Sequence, residues 1–246
     1  MNDFVPCVVV PTFDNPGTVR SVVERARELV PEVVLVDDGS GKEGRLLAQR
    51  IAREGLAHVV RRGRNGGKGA AVHDGLRRAA DLGFTHALQI DADGQHDLSD
   101  IPRFLEAAKA RPEALILGQP IFDEAAPRSR VVGRLVTRFW TTIETGGRVI
   151  ADALCGFRVY PIRAALAARP RSRRMEYDVE IAVRMYWAGT PIVNLPTRVR
   201  YLPREMGGVS HYRLVRDNVL MSRTHAVLAT EAPFRLLARA ARKKAR

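Results

Sequence analysis

The first half of the chain alternates short apolar runs with stretches whose apolar residues recur at helical spacing. Val5 to Val10 is a β-branched run closed by Pro11 and predicts a strand; the turn residues Thr12 to Thr18 then lead into a helix over Val19 to Leu29. The unit repeats at once. Val33 to Val36 reads as a strand, Asp37-Asp38-Gly39-Ser40-Gly41 as a loop, and Leu46, Leu47 and Ile51 mark a helix from about Glu43 to Glu54. A third strand, His58 to Val60, runs through Asn65-Gly66-Gly67-Lys68-Gly69 into a helix reaching Ala79. A fourth apolar run, Ala87, Leu88 and Ile90, empties without a spacer into Asp91-Ala92-Asp93-Gly94-Gln95-His96-Asp97. Ser99 and Asp100 predict the cap of a helix carrying Ile101, Phe104 and Leu105, and Ala114 to Gly118 returns as a strand.

Strands alternating with helices of this length predict a mostly parallel sheet covered on both faces, with binding loops at the carboxyl ends of the strands. Asp14, Asp37, Asp38, Lys68, Asp91 and Asp93 all fall on those loops. Beyond Gly118 the alternation stops. Val132, Leu135, Val136, Phe139, Trp140 and Ile143 form the apolar stripe of a helix over Ser129 to Ile143, and Arg130, Arg134 and Arg138 lie on its other face, spaced to meet water, a diphosphate or anionic lipid.

The net charge of +13 is unevenly placed. Residues 128–174 and 197–246 each carry a net +9, and the rest of the chain sums to −5. Such basic regions suit nucleic acid, lipid headgroups or a phosphorylated substrate; the 6% aromatic content and the lack of any known nucleic-acid module make nucleic acid the poorest fit. Cys7 and Cys155 sit in apolar surroundings and read as packing thiols of a reduced protein. With no long apolar run and no export signal, the expectation is a cytoplasmic protein, peripheral at most to the inner membrane face.

The chemistry centres on Asp91 and Asp93. On an extended chain side chains i and i+2 point the same way, so these carboxylates converge and repel unless a positive group lies between them. A hard divalent cation, Mg²⁺ or Mn²⁺, is the natural occupant, because it takes oxygen ligands and completes its shell with water and substrate phosphate. A solvated Asp-rich turn is the competing reading. The glycine loop at 63–68 is no P-loop, since Gly69 follows Lys68 where Ser or Thr is required; Lys68 instead suits a phosphate partner or a solvated loop lysine.

Together, Pro11-Thr12-Phe13-Asp14, Val36-Asp37-Asp38-Gly39-Ser40, Asn65-Gly66-Gly67-Lys68-Gly69-Ala70-Ala71, Asp91-Ala92-Asp93-Gly94-Gln95-His96 and Asp152-Ala153-Leu154-Cys155-Gly156-Phe157-Arg158 resemble family 2 glycosyltransferases of the GT-A fold. The lysine-bearing glycine loop and the Gln-His after the D-x-D are most similar to the branch that loads a sugar onto dolichyl or other polyprenyl phosphates. The resemblance implies a Rossmann-like, mostly parallel central sheet in one domain over residues 1–228, its nucleotide-sugar half ending near 118 and its acceptor half spanning 119–228. Residues 229–246 would form a basic amphipathic C-terminal helix or tail, which either lies on an anionic membrane or is solvated. The implied nucleotide-sugar site comprises Pro11, Thr12, Asp14, Asp37, Asp38, Lys68, Asp91, Ala92, Asp93 and His211. Asp91, Asp93 and Gln95 would hold the metal. Asp152, Asp178, Glu180 and Arg213 are the catalytic candidates, with His211 or Arg213 carried on a closing loop, Gly207 to Arg213.

The implied reaction moves a sugar with inversion from a nucleoside-diphosphate sugar to a polyprenyl phosphate. A phosphate acceptor needs no general base, whereas a glycan or glycolipid hydroxyl would draw on Asp152, Asp178 or Glu180. On a helix Glu176 and Glu180 share a face that Asp178 does not, so the three acids can all serve one site only if the segment begins extended. The rival readings are a sugar nucleotidyltransferase and a non-catalytic basic scaffold.

Overall fold

The computed structural model describes residues 4–122, 128–200 and 213–244. Four parallel strands follow one another with helical crossovers: β1 (Pro6–Thr12), α1 (Val19–Leu29), β2 (Val33–Asp37), α2 (Lys42–Arg53), β3 (His58–Arg61), α3 (Lys68–Asp81) and β4 (His86–Gln89). After α4 (Ile101–Ala110) come β5 (Leu115–Phe122), α5 (Arg128–Thr145), β6 (Arg158–Pro161), α6 (Ile162–Ala167), α7 (Tyr177–Ala188), β7 (Ile192–Val199) and α8 (Leu214–Lys244). The seven strands form one sheet in the order β3-β2-β1-β4-β6-β5-β7, in which β6 runs antiparallel to both its neighbours. Strand order reverses between β2-β1 and β1-β4, and the loops leaving β1 and β4 diverge there into a crevice. Since β6 is antiparallel, its amino end reaches the same edge.

Both faces of β1 are buried, as a continuous apolar run requires. Cys7 and Val9 pack toward α3 and α7, whereas Val8 and Val10 pack toward α1 and α4, so the period-two alternation feeds two cores. Cys7 and Cys155 are buried and unpaired, and burial pushes each thiol up to about 12.

Three local expectations are corrected. The turn before α4 is capped by Asp97, which accepts from the Ser99 amide at 3.1 Å, while Asp100 at the α4 terminus makes no side-chain cap. The D-x-D segment is a turn, with Gly94 at φ 73°, and not an extension of β4. The largest correction is α5. Its arginine Arg134 turns inward and its apolar residues face out: Val132, Leu135, Val136, Phe139 and Ile143 are exposed, and the buried face is Thr137, Thr141, Glu144 and Thr145. That polar face has partners. Glu144 pairs with His225 of α8 at 2.7 Å, its carbonyl accepts from Trp187 Nε1 at 2.8 Å, and Thr145 donates to the carbonyls of Thr141 and Gly147.

The division expected at residues 228/229 falls within α8, a 31-residue helix whose Leu228 and Ala232 are buried. Its basic residues are partly spent on the protein itself: Arg239 and Arg242 donate to the carbonyls of Tyr186 and Trp187, the last turn of α7.

Candidate active site

The β1 loop turns sharply at Asp14, which holds φ 48°, a left-handed conformation that short acidic side chains tolerate. Asp14 accepts from the Gly41 amide at 2.8 Å and its own amide donates to Ser40 Oγ at 3.0 Å, tying the loop after β1 to the loop after β2. Thr18 fastens the same segment to the D-x-D turn by donating to the Ala92 carbonyl at 2.6 Å. Asp37 is wholly buried, accepting from the Ser40 amide at 2.9 Å and facing Arg61 at 3.2 Å. Asp38 accepts from the amides of Gly66 and Gly67 at 2.9 and 2.8 Å, fixing the glycine loop, and forms an ion pair with Arg62 at 2.8 Å. Burial outweighs these donors and leaves its carboxyl above the usual range.

Lys68, at the first position of α3, occupies the centre. Its ammonium lies 2.8 and 3.1 Å from the two oxygens of Asp91 and 2.8 Å from Asp178 of α7. Burial alone would lower the lysine, but Asp178 and Asp91 more than offset it and hold its proton more tightly than usual. Burial likewise works against Asp91, yet Lys68 and His96, whose Nε2 is 3.5 Å away, bring its carboxyl well below the carboxylate range. Asp93 behaves oppositely: burial, then the charge of Asp91, raise it. Gly156 backs Asp91 so closely that a Cβ there would sit 2.1 Å from the carboxylate. Arg158, fully buried, donates to the carbonyls of Ala153, Cys155 and Asp178 and so clamps the 152–156 loop to α7.

These groups line a cavity of about 1080 Å³. Pro11, Thr12, Asp38, Lys68, Asp91, Ala92, Asp93, Gln95, Asp178 and Arg213 reach it. Asp14 and Asp37 stand behind the loops they brace, outside that lining. Asp152 is also turned away, accepting from the Leu154 and Cys155 amides at 2.8 Å each and pairing with Arg134 at 2.5 Å. Glu180 accepts from the Arg171 and Ser172 amides and pairs with Arg184 at 2.5 Å, so of the α7 acids only Asp178 faces the cavity. His211 and the rest of 207–212 lie outside the described residues. Arg134, one of the arginines expected to meet water, a diphosphate or anionic lipid, reaches the cavity, and the site also uses residues without an expected role: Arg174 and Arg216 bring two more guanidinium groups to it, and Arg158 positions Asp178. The basic run at 169–174 and the charge excess near the C-terminus were the available signals.

A Rossmann-like crevice with a D-x-D turn and a buried lysine at the switch point places the chain among the glycosyltransferases. It belongs to glycosyl transferase family 2, whose pattern matches residues 7–165, more than half of the chain. It is an enzyme of the GT-A fold. The undecaprenyl-phosphate mannosyltransferase of Micrococcus luteus is 28% identical over 209 residues, covering 81% of this chain and 84% of that protein. The polyprenol monophosphomannose synthase of Mycolicibacterium smegmatis is 26% identical over 212 residues, covering 81% and 78%. The glucosyl-3-phosphoglycerate synthase of Mycobacterium tuberculosis, solved with Mn²⁺, uridine diphosphate and phosphoglyceric acid, superposes with a TM-score of 0.66 at 18% identity, covering 96% of this chain and 78% of that one. Both of these relatives in sequence fall in the polyprenyl-phosphate branch of the family.

Proposed function

We propose that the enzyme transfers a sugar from a nucleoside-diphosphate sugar to a polyprenyl phosphate, with a divalent cation on the donor diphosphate. The observation that carries the acceptor is the engagement of every candidate base. Asp152 is held by Arg134 and two amides, Glu180 by Arg184 and two amides, and Asp178 by Lys68, with Arg158 3.9 Å away. A carboxylate already engaged by a cation is not free to meet an acceptor hydroxyl, whereas an acceptor phosphate is already anionic near neutral pH and needs no base. Arg134, Arg174, Arg213 and Arg216 on the cavity wall suit such an anion.

The donor set fits Mg²⁺ or Mn²⁺. Among the described residues no group of three or more metal-binding side chains is preassembled, but the carboxyl of Asp93, raised by burial and by Asp91, marks a site that gains from a hard cation. Asp91, Asp93 and Gln95 would hold the ion, with diphosphate and water completing its shell. When bound, it neutralises the charge that develops on the departing diphosphate. Lys68 keeps Asp91 ionised and oriented, and Arg213 stands on the cavity wall to add positive charge beside the leaving group.

Calorimetry with UDP, GDP, TDP and CDP, each with Mn²⁺ and again with EDTA, tests the donor half. Metal-dependent binding of one nucleotide, lost in Asp93→Ala, is expected; equal binding with EDTA would sink the metal role. Transfer to a prenyl phosphate and not to the matching prenyl alcohol is expected of the acceptor half. An Asp152→Asn variant that binds donor and no longer transfers would instead favour a hydroxyl acceptor.

A further inference from the structure

The outward face of α5 is unusual for a water-facing surface. Val132, Leu135, Val136, Phe139 and Ile143 form one stripe, with Leu135 and Phe139 each 60% exposed. The orientation is fixed from behind by the buried Glu144–His225 pair and by Trp140, whose ring stacks on His225 with centroids 6.1 Å apart. Val215 and Val219 are likewise exposed, on the first turns of α8, the helix that α5 packs against.

We propose that this face docks on a bilayer bearing anionic headgroups, and that the catalytic cavity opens within it. Two observations commit the occupant. First, Val132 and Leu214 are exposed and also line the cavity that holds Asp91 and Asp93, so the cavity mouth is rimmed by the apolar face. An acceptor with a lipid chain can keep its tail in hydrocarbon while its phosphate reaches the arginines; this step rests on the acceptor reading above. Second, a basic pocket of about 420 Å³ lies along the neighbouring flank of α8, with Arg171, Arg173, Arg216 and Arg223 in its wall. None of these four is ion-paired among the described residues. An apolar stripe beside unneutralised guanidinium groups matches an interface of acyl chains and anionic headgroups. A second copy of the chain would bring two such arginine sets of the same sign together.

Vesicle sedimentation, with no donor or acceptor present, tests the docking alone. The wild type is expected to bind phosphatidylcholine vesicles containing phosphatidylglycerol. Leu135→Ser/Phe139→Ser should bind them on the order of 100-fold more weakly, because two side chains lose their apolar burial. Arg223→Glu should bind roughly 30-fold more weakly, and only where the vesicles are anionic. Transfer to a short-chain prenyl phosphate free in buffer should persist in the double variant while transfer to a vesicle-embedded acceptor falls. Wild-type vesicle binding by Leu135→Ser/Phe139→Ser would overturn the proposal, as would a wild-type dimer in solution that the same substitutions split. Vesicle binding that responds to the variants, with no transfer to any prenyl phosphate, would sink the acceptor reading and leave the docking face standing.

Discussion

Replacing Gly156 with alanine isolates the role of Asp91. Gly156 does not have a positive φ, so the backbone accepts any residue and the whole effect is steric. The added Cβ would lie 2.1 Å from Oδ2 and 2.5 Å from Cγ and Oδ1 of Asp91, where contacts under 3.0 Å essentially never occur. Restoring an ordinary contact near 3.4 Å moves the carboxylate by about 1.3 Å and opens its 2.8 Å ion pair with Lys68 to roughly 4 Å. A charge-assisted bond is worth about 1.5–3 kcal/mol and overpacking costs about 1–3 kcal/mol. Gly156→Ala should therefore lose about 2.5–6 kcal/mol of stability and, with the carboxylate misplaced by more than 1 Å, about 100-fold in transfer rate. Thermal melts and initial rates measure the two effects separately. Gly63→Ala is the control: nothing lies within 4 Å of its Cβ, so a change within about 0.5 kcal/mol is expected. Wild-type melting and turnover in Gly156→Ala would refute the placement of Asp91 as the fixed centre of the site.

Lys68→Met should destabilise the protein by about 3–5 kcal/mol, because Asp91 and Asp178 would then be left without their shared cation; an unchanged melting temperature would contradict the ion triad. His86 supplies a pH test. Its Nε2–H donates to the Pro112 carbonyl at 2.8 Å and its Nδ1 accepts from Thr85 Oγ1 at 2.9 Å, and burial holds the imidazole below its ordinary 6.5. The folded state therefore keeps the neutral ring. As pH falls through 6.5 the unfolded chain takes up a proton that the folded one refuses, and stability drops by up to about 1.4 kcal/mol per pH unit. Urea midpoints for wild type and His86→Gln should diverge below that pH and run parallel above it; identical slopes would exclude His86 as the source.

Strands β1 to β5 were legible because each contains a short apolar run bounded by turn residues, and α1 keeps the boundaries its periodicity predicts; β6, which carries the buried Arg158, and β7, which carries Asn194, Thr197 and Arg198, show no such run and were not. The loop carboxylates were legible as a group, since the parallel order fixes the edge where they meet. Their individual tasks were not. Asp38 and Asp91 look alike in sequence, yet one holds backbone amides and the other a lysine 23 positions away in the chain, and such pairings follow from tertiary geometry alone. Helix α5 shows the same limit. Its periodicity identifies an amphipathic helix but carries no information on which face turns inward, and here buried partners for Glu144 and Thr145 decide it.

The ammonium of Lys68 between Asp91 and Asp178 means that the resting site carries its own counter-ion. Under the proposed function, binding of a cation with its diphosphate would be an exchange: the incoming positive charge would loosen the hold of Asp91 on the lysine, and the incoming phosphate would offer the lysine a new partner. A bare metal ion meets the repulsion of Lys68 without that compensation, and a bare nucleotide meets the repulsion of the carboxylates. On that reading the arrangement would favour the two arriving as one neutralised unit, making the site selective for the charge balance of its ligand as well as for its shape.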